Sequence, residues 1–165
     1  MHLNINPSPN DFKGVILYYP EGNTDIQIGP YMCPFGVNRN YGKEEVSLSV
    51  ESENDVISFG KIDKIVNEFA EENEFPVQGK GSLNFPQNPE YKPTLKVKLN
   101  KNTIIYDKDN IVQDSSYIEK FDRLVCDICV SCIWKNDNMY GITYKADKIQ
   151  VFKEQKAKKS KKQHN

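Results

Sequence analysis

Apolar residues in this chain alternate with polar ones in two clear stretches, and another stretch takes the period of a helix. Val46, Leu48 and Val50 alternate with Ser47 and Ser49, which predicts a strand buried on one face. Leu95, Val97 and Leu99 alternate with Lys96 and Lys98 in the same way. Gly14–Tyr19 is a short apolar run closed by the turn residues Pro20, Glu21, Gly22 and Asn23. Gly and Pro punctuate Ile26–Gly42, which reads as short strands and loops. Asn102–Asp107 predicts a further strand, with a turn at Lys108–Asn110. Phe121–Lys135 predicts a long strand, Lys135–Asn138 a hairpin turn, and Met139–Phe152 the strand that returns.

The helical stretch is "KIDKIVNEFAEENEF". Ile62, Ile65, Val66 and Phe69 fall at i, i+3, i+4 and i+7 and make one apolar stripe, predicting a helix over about 61–73. Ser58 or Gly60 would cap its start. Glu68, Glu71, Glu72 and Glu74 take the wet face, and the acidic groups near the C-terminal end oppose the helix dipole, so that end is expected to fray. Pro76–Thr94 follows, with two glycines, four prolines and no period. Loops of this length are functional or disordered.

The chain is therefore expected to be mainly β, with one helix, a late long hairpin and a long basic loop. There is no internal repeat. Short strands closing a small barrel suit this order better than βαβ units. The 165 residues suit one domain, placed at 1–152. Residues 153–165 are too polar to bury a core and are expected to form a mobile tail. No apolar run is long enough to span a membrane. The N-terminus lacks the basic start and apolar region of a secretory signal.

A net charge of −1 hides segregation. The 153–165 tail has six lysines (Lys153, Lys156, Lys158, Lys159, Lys161 and Lys162) against Glu154 alone. Glu44–Phe75 has ten acidic residues and two lysines. Lys80–Lys101 has five lysines, Lys80, Lys92, Lys96, Lys98 and Lys101, and only Glu90 against them. A local basic face is compatible with the near-neutral total. Arg39 and Arg123 are the only arginines, so phosphate attraction by lysine is favoured over bidentate reading of bases.

Three of the four cysteines lie in "LVCDICVSCIW", at Cys126, Cys129 and Cys132. Zinc sites pair such a motif with a second ligand pair, and here only Cys33 and the terminal His2 and His164 remain. Cluster ferredoxins carry C-x-x-C-x-x-C in a loop, not between strand-forming residues. On a strand of strict period two, Cys126 and Cys132 share a face with Leu124, Ile128, Val130 and Trp134, and Cys129 points the other way. The thiols then serve as small core hydrophobes, with no metal and no cofactor expected. Stoichiometric zinc would overturn that. The cysteine pattern is not a secreted disulfide framework, and a reducing compartment is expected. No Walker loop, G-x-S-x-G or HExxH is present, and no nucleophile–base–orienter set is found, so no catalysis is expected. The acidic runs read as a solvated face.

What remains is lysine interleaved with aromatic residues. Lys96 and Lys98 share a face, with Lys101 beside them. Tyr140, Ile142 and Tyr144 share a face of the last strand, with Lys145 and Lys148 near in sequence. Phe85 and Tyr91 lie in the long loop with Lys80 and Lys92. Sequence-tolerant single-strand binding needs this mixture: lysines follow phosphates and rings stack on bases. The pattern equally allows Tyr140 and Tyr144 to be core or rim residues.

The stretches "CPFGVNRNYGKEEVSLSV", "YKPTLKVKLNKNTIIYD", "IW" and "YGITYKADKIQVF" resemble the single-stranded-DNA-binding proteins of large nucleocytoplasmic DNA viruses. These are distantly similar to OB-fold replication proteins of some tailed phages. The resemblance covers most of residues 30–152 in short blocks. It implies an OB-fold barrel, binding of single-stranded DNA with little sequence preference, and a role in viral replication, recombination or repair. Replication proteins would be partners, in the host cytoplasm, a viral factory or the virion, and self-association is left open. Tyr91, Lys92, Lys96 and Lys98 match the lysine-bearing barrel segment. Trp134, Tyr140, Tyr144, Lys145 and Lys148 match the late hairpin. The phage proteins end in an acidic tail and this chain ends in a basic one, so autoinhibition by the tail does not carry over. The alternative is a structural virion or assembly protein that contacts nucleic acid through that tail.

Overall fold

A computed structural model describes residues 3–154. Thirteen strands are present among them: β1 (Asn4–Ile5), β2 (Asn10–Phe12), β3 (Val15–Tyr18), β4 (Pro20–Glu21), β5 (Ile26–Met32), β6 (Val37–Asn40), β7 (Lys43–Ser49), β8 (Leu83–Asn84), β9 (Thr94–Leu99), β10 (Ile104–Tyr106), β11 (Val112–Gln113), β12 (Arg123–Lys135) and β13 (Tyr140–Phe152). The helix α1 (Glu53–Glu72) lies between β7 and β8, and a 3₁₀ turn spans Ser115–Tyr117. The chain is mainly β with one α-helix among the described residues, as expected.

The β12–β13 hairpin is the spine. Antiparallel to each other, its strands run from Arg123 opposite Phe152 to Lys135 opposite Tyr140. On the far side of β12, β5 pairs with its first half and β3 with its last three residues. On the far side of β13, β10 pairs in parallel near Lys148 and β9 in parallel at Tyr144 and Lys145. Beyond β9 come β7 and then β6.

The expected barrel does not close. β5 and β7, at the two ends of the run β5–β12–β13–β9–β7, approach within 8 Å at some Cα positions, yet no ladder joins them. One physical reason is Pro30, which has no N–H to donate and sits in the middle of β5, where proline suits an edge strand. The neighbouring Gly29 is also fixed by packing, since a Cβ there would meet the Leu124 carbonyl oxygen at 2.3 Å.

The helix begins eight residues earlier than its apolar stripe predicts. Ser52, not Ser58 or Gly60, is the N-cap, and its side chain accepts from the Asp55 N–H. Asn54, Asp55, Ser58 and Gly60 are weak helix formers, which hides this turn in the sequence. Phe59 extends the stripe and is fully buried with Ile62, Val66 and Ala70. These residues pack on Val46, Leu48, Leu95, Val97, Ile128 and Ile133 in one core. Each fully buried side chain of this size contributes about 1.5–3 kcal/mol. Tyr31 of β5 donates its hydroxyl hydrogen bond to Asp55, tying the helix start to the sheet. Burial first, and that carboxylate second, push the Tyr31 phenol up to about 12.

At the other end no basic residue faces the dipole. The end is instead held by Asn73 Nδ2 donating to the Phe69 carbonyl (2.9 Å) and by Phe75 N–H donating to the Ala70 carbonyl (2.9 Å). Phe75 then enters a ring cluster with Phe69 (5.7 Å between centroids), Tyr18 (5.2 Å) and Tyr140 (5.6 Å). The stretch after it is no free loop. Gly79 bridges to Tyr140 in parallel and β8 pairs with β9, so 79–84 is a strap filling the fork where β13 diverges from β9.

Lys153 belongs to the domain rather than the tail. Its ammonium donates to Asp122 (2.8 Å), a carboxylate only 1% exposed, lies 3.0 Å from Glu119, and sits over the Tyr117 ring. The remaining tail lysines lie outside the described residues.

Candidate nucleic-acid interface

The outer face of the sheet around Trp134 is set by an irregularity in the hairpin. Between Val130 and Cys132 the β12–β13 register shifts by one residue, with Ser131 as the extra residue of a β-bulge. A one-residue shift exchanges the faces of everything beyond it. Leu124, Cys126, Ile128 and Val130 face the core, as period two requires. Past the bulge, Ile133 takes the core side, while Cys132 and Trp134 turn outward. This corrects the expectation that Cys132 and Trp134 share a face with Cys126. The bulge is braced by Thr24, whose hydroxyl accepts from the buried Val130 N–H at 3.1 Å. Thr24 fills the gap that β3 and β5 leave along β12.

Trp134 consequently lies over Gly141, its partner across the hairpin. It forms part of a groove of about 320 Å³ lined by Lys80, Ser82, Asn84, Thr94, Lys96, Lys98, Ile142 and Thr143, with Tyr144 at depth and Glu45 at one side. Lys96 and Lys98 come from the exposed face of β9, and Lys80 from the strap. Lys145 stands beside Lys98 in the β13–β9 register. None of these four lysines is in an ion pair among the described residues. Three lysines thus line a wall that carries a single carboxylate and the chain's only indole, with Lys145 adjacent on β13.

Of the residues expected from sequence, Lys80, Lys96, Lys98, Trp134 and Tyr144 are brought together here, with Lys145 adjacent. The tyrosines do not play the expected part. Tyr144 is 2% exposed, set edge-on to Phe59 (5.6 Å), with its hydroxyl 2.6 Å from Ser82 Oγ. Tyr140 is 7% exposed and donates to Asn67 Oδ1 at 2.8 Å. Burial, foremost, raises both phenols above the usual range. They are core residues under α1 and the strap, and Gly79 packs directly on the Tyr140 ring. Lys148 stacks on Tyr106 (5.0 Å), away from the groove, and Lys101 sits in the exposed Asn100–Thr103 turn. Phe85, Tyr91 and Lys92 are exposed on the loop between β8 and β9 and do not line the groove.

Asn84, Thr94, Thr143 and Glu45 are wall residues that sequence reasoning missed. Thr94 carried a signal, being in phase with Lys96 and Lys98. The strap that holds Lys80 in place is anchored by Asp63 of α1, which accepts from Ser82 N–H (2.9 Å) and Ser82 Oγ (2.5 Å). Burial raises the Asp63 carboxyl above the usual carboxylate range, against the lowering effect of those hydrogen bonds.

All four cysteines are free. Burial, first, lifts every one of their thiols above the ordinary value, Cys33 and Cys129 to about 11. Among the described residues, one group could hold a metal ion: Asp25, Cys129 and Asp147, with ligand atoms within 4.8 Å of one another. Two of its members are exposed carboxylates, and neither Cys126 nor Cys132 joins it. No helix among the described residues is long and apolar enough to cross a membrane.

In comparisons with known proteins, no family model, no curated protein and no solved structure matches this chain.

Proposed function

We propose that this protein binds single-stranded DNA with little sequence preference. The observation that carries the reading is the groove that Lys80, Lys96 and Lys98 line together with Trp134. Lysine ammonium groups attract phosphates along a strand without selecting a base. The indole offers a face on which any base can stack, and base–aromatic stacking of this kind contributes about 1–3 kcal/mol. Glu45 and the hydroxyls of Thr94 and Thr143 add polar contacts at the wall. The reading involves no turnover, metal or cofactor.

The same proposal takes the open sheet folded over α1 as an OB-like arrangement, and the biological setting as viral DNA replication, recombination or repair. Both rest on the short blocks of sequence resemblance, supported by the mainly β architecture with its single helix between β7 and β9.

Binding of a fluorescently labelled thymidine oligonucleotide, followed by anisotropy over a range of salt, tests the proposal. With three to four phosphates neutralised, the logarithm of affinity should fall against the logarithm of salt with a slope of about −2 to −3. Absence of binding by the full chain at low salt would reject it.

A further inference from the structure

Tyr41 is 96% exposed at the tip of the β6–β7 hairpin. The tip is the tight turn Asn40–Tyr41–Gly42–Lys43, closed by the pairing of Asn40 with Lys43. Both central residues have positive φ, +52° for Tyr41 and +74° for Gly42. Turns of this kind favour Asn, Asp or Gly at the first central position, because a large side chain there is strained. An aromatic residue held in that conformation with almost no packing partner does not serve the fold, and strain of this kind concentrates at binding sites.

The hairpin is held from behind. Arg39 pairs with Glu44 (2.8 Å), and Ser115 donates to Glu44 (2.6 Å) while accepting from Arg39 (3.2 Å). Beside it lies a second hollow of about 170 Å³, lined by Asn38, Asn40, Tyr41, Lys43, Glu44, Glu45 and Lys98. Two lysines there meet two carboxylates, of which Glu44 is already paired with Arg39. Glu45 and Lys98 also line the Trp134 groove, so the two hollows are neighbours that share a wall.

We infer that Tyr41 is a second base-stacking platform, and that one nucleic-acid strand runs from Trp134 past Lys98 and Lys43 to the hairpin tip. The inference rests on the single-strand reading above and adds the course of the strand and its length. β13 and β9 are parallel and β7 is antiparallel to both, so the route follows one direction along the sheet. Gly141 to Lys145 is four residue steps, and Glu45 to the tip is about three, because Asn40 is level with Lys43 and Tyr41 lies one step beyond. This places Trp134 and Tyr41 about 23 Å apart along the strands. A stacked strand advances about 3.4 Å per nucleotide, so about eight nucleotides reach both rings, and fewer if the strand is stretched. A site of this length falls within the roughly 4–16 nucleotides that single-strand-binding domains cover.

Tyr41→Asn tests the inference without endangering the fold, because Asn suits the turn better than Tyr. The variant should melt at a higher temperature than the wild type. It should bind a thymidine dodecanucleotide about fivefold more weakly or worse, the lower bound set by one lost stacking contact. A thymidine trinucleotide, too short to reach the tip from Trp134, should bind both proteins equally. Tyr41→Phe should restore dodecanucleotide affinity. Equal dodecanucleotide affinity of wild type and Tyr41→Asn would overturn the second platform while leaving single-strand binding standing. A wild type that binds neither oligonucleotide would overturn the underlying reading, and this inference with it.

Discussion

The indole of Trp134 rests against Gly141, so closely that a methyl group at position 141 would sit 2.7 Å from Cζ2 and 3.1 Å from Nε1. Glycine is what lets the only tryptophan lie down on the sheet beside Lys96 and Lys98. Gly141→Ala should lift the ring, at a stability cost of about 1–3 kcal/mol for overpacking. The emission maximum of Trp134 should shift, and affinity for a thymidine oligonucleotide should fall by about fivefold, as expected for one compromised stacking contact. Fluorescence and melting of the variant check both parts.

Thr24 acts at a distance from the groove. Its hydroxyl satisfies the Val130 N–H beside the bulge that turns Trp134 outward. Thr24→Val keeps the shape and removes the acceptor, leaving a buried donor unpaired at a cost of about 1–3 kcal/mol. Thermal denaturation should show that loss, and Trp134 emission should change although residue 24 does not touch the ring. Unchanged emission would mean that the bulge holds without Thr24.

The lysines divide by position. Lys96→Ala together with Lys98→Ala should reduce the salt slope by about 1.4, at about 0.7 per neutralised phosphate on a single strand. Lys148→Ala should leave the slope as it is, because Lys148 stacks on Tyr106 outside the groove. Binding isotherms at several salt concentrations separate the two outcomes.

Much of this architecture is legible in the sequence. The alternation of β7 and β9, the stripe of α1 and the late hairpin follow from local apolar periods, which do not depend on distant contacts. Two features do depend on them. The extra residue Ser131 has no composition mark, yet it decides which face Trp134 occupies. The first turns of α1 are polar and glycine-containing, and they are stabilised by the Ser52 cap and by Phe59 packing under the sheet. Tyr140 and Tyr144 were ambiguous for a related reason: only the strap across the β9–β13 fork, itself without a period, turns their face into core. The lysines of β9 were the most readable part of the site, since an outward lysine on a half-buried strand needs no tertiary context.

Asp63 gives the strap a pH signature. Its carboxyl titrates above the ordinary aspartate range in the folded chain. Between the ordinary and the raised value, the folded chain holds a proton that the unfolded chain has released. The stabilisation from this proton is fully present below the ordinary value and is lost as pH rises through the raised one. Melting temperatures from acidic to neutral pH should therefore fall more steeply for the wild type than for Asp63→Asn, which cannot titrate. Parallel profiles would show that the carboxyl is not perturbed.

The most direct test of the central claim is the emission of Trp134 during titration of the full chain with a thymidine dodecanucleotide at low salt. The groove reading predicts saturable quenching that is reversed by added salt and weakened in the Lys96→Ala, Lys98→Ala double variant. Binding that leaves Trp134 emission unchanged, or quenching indifferent to both lysines, would contradict it.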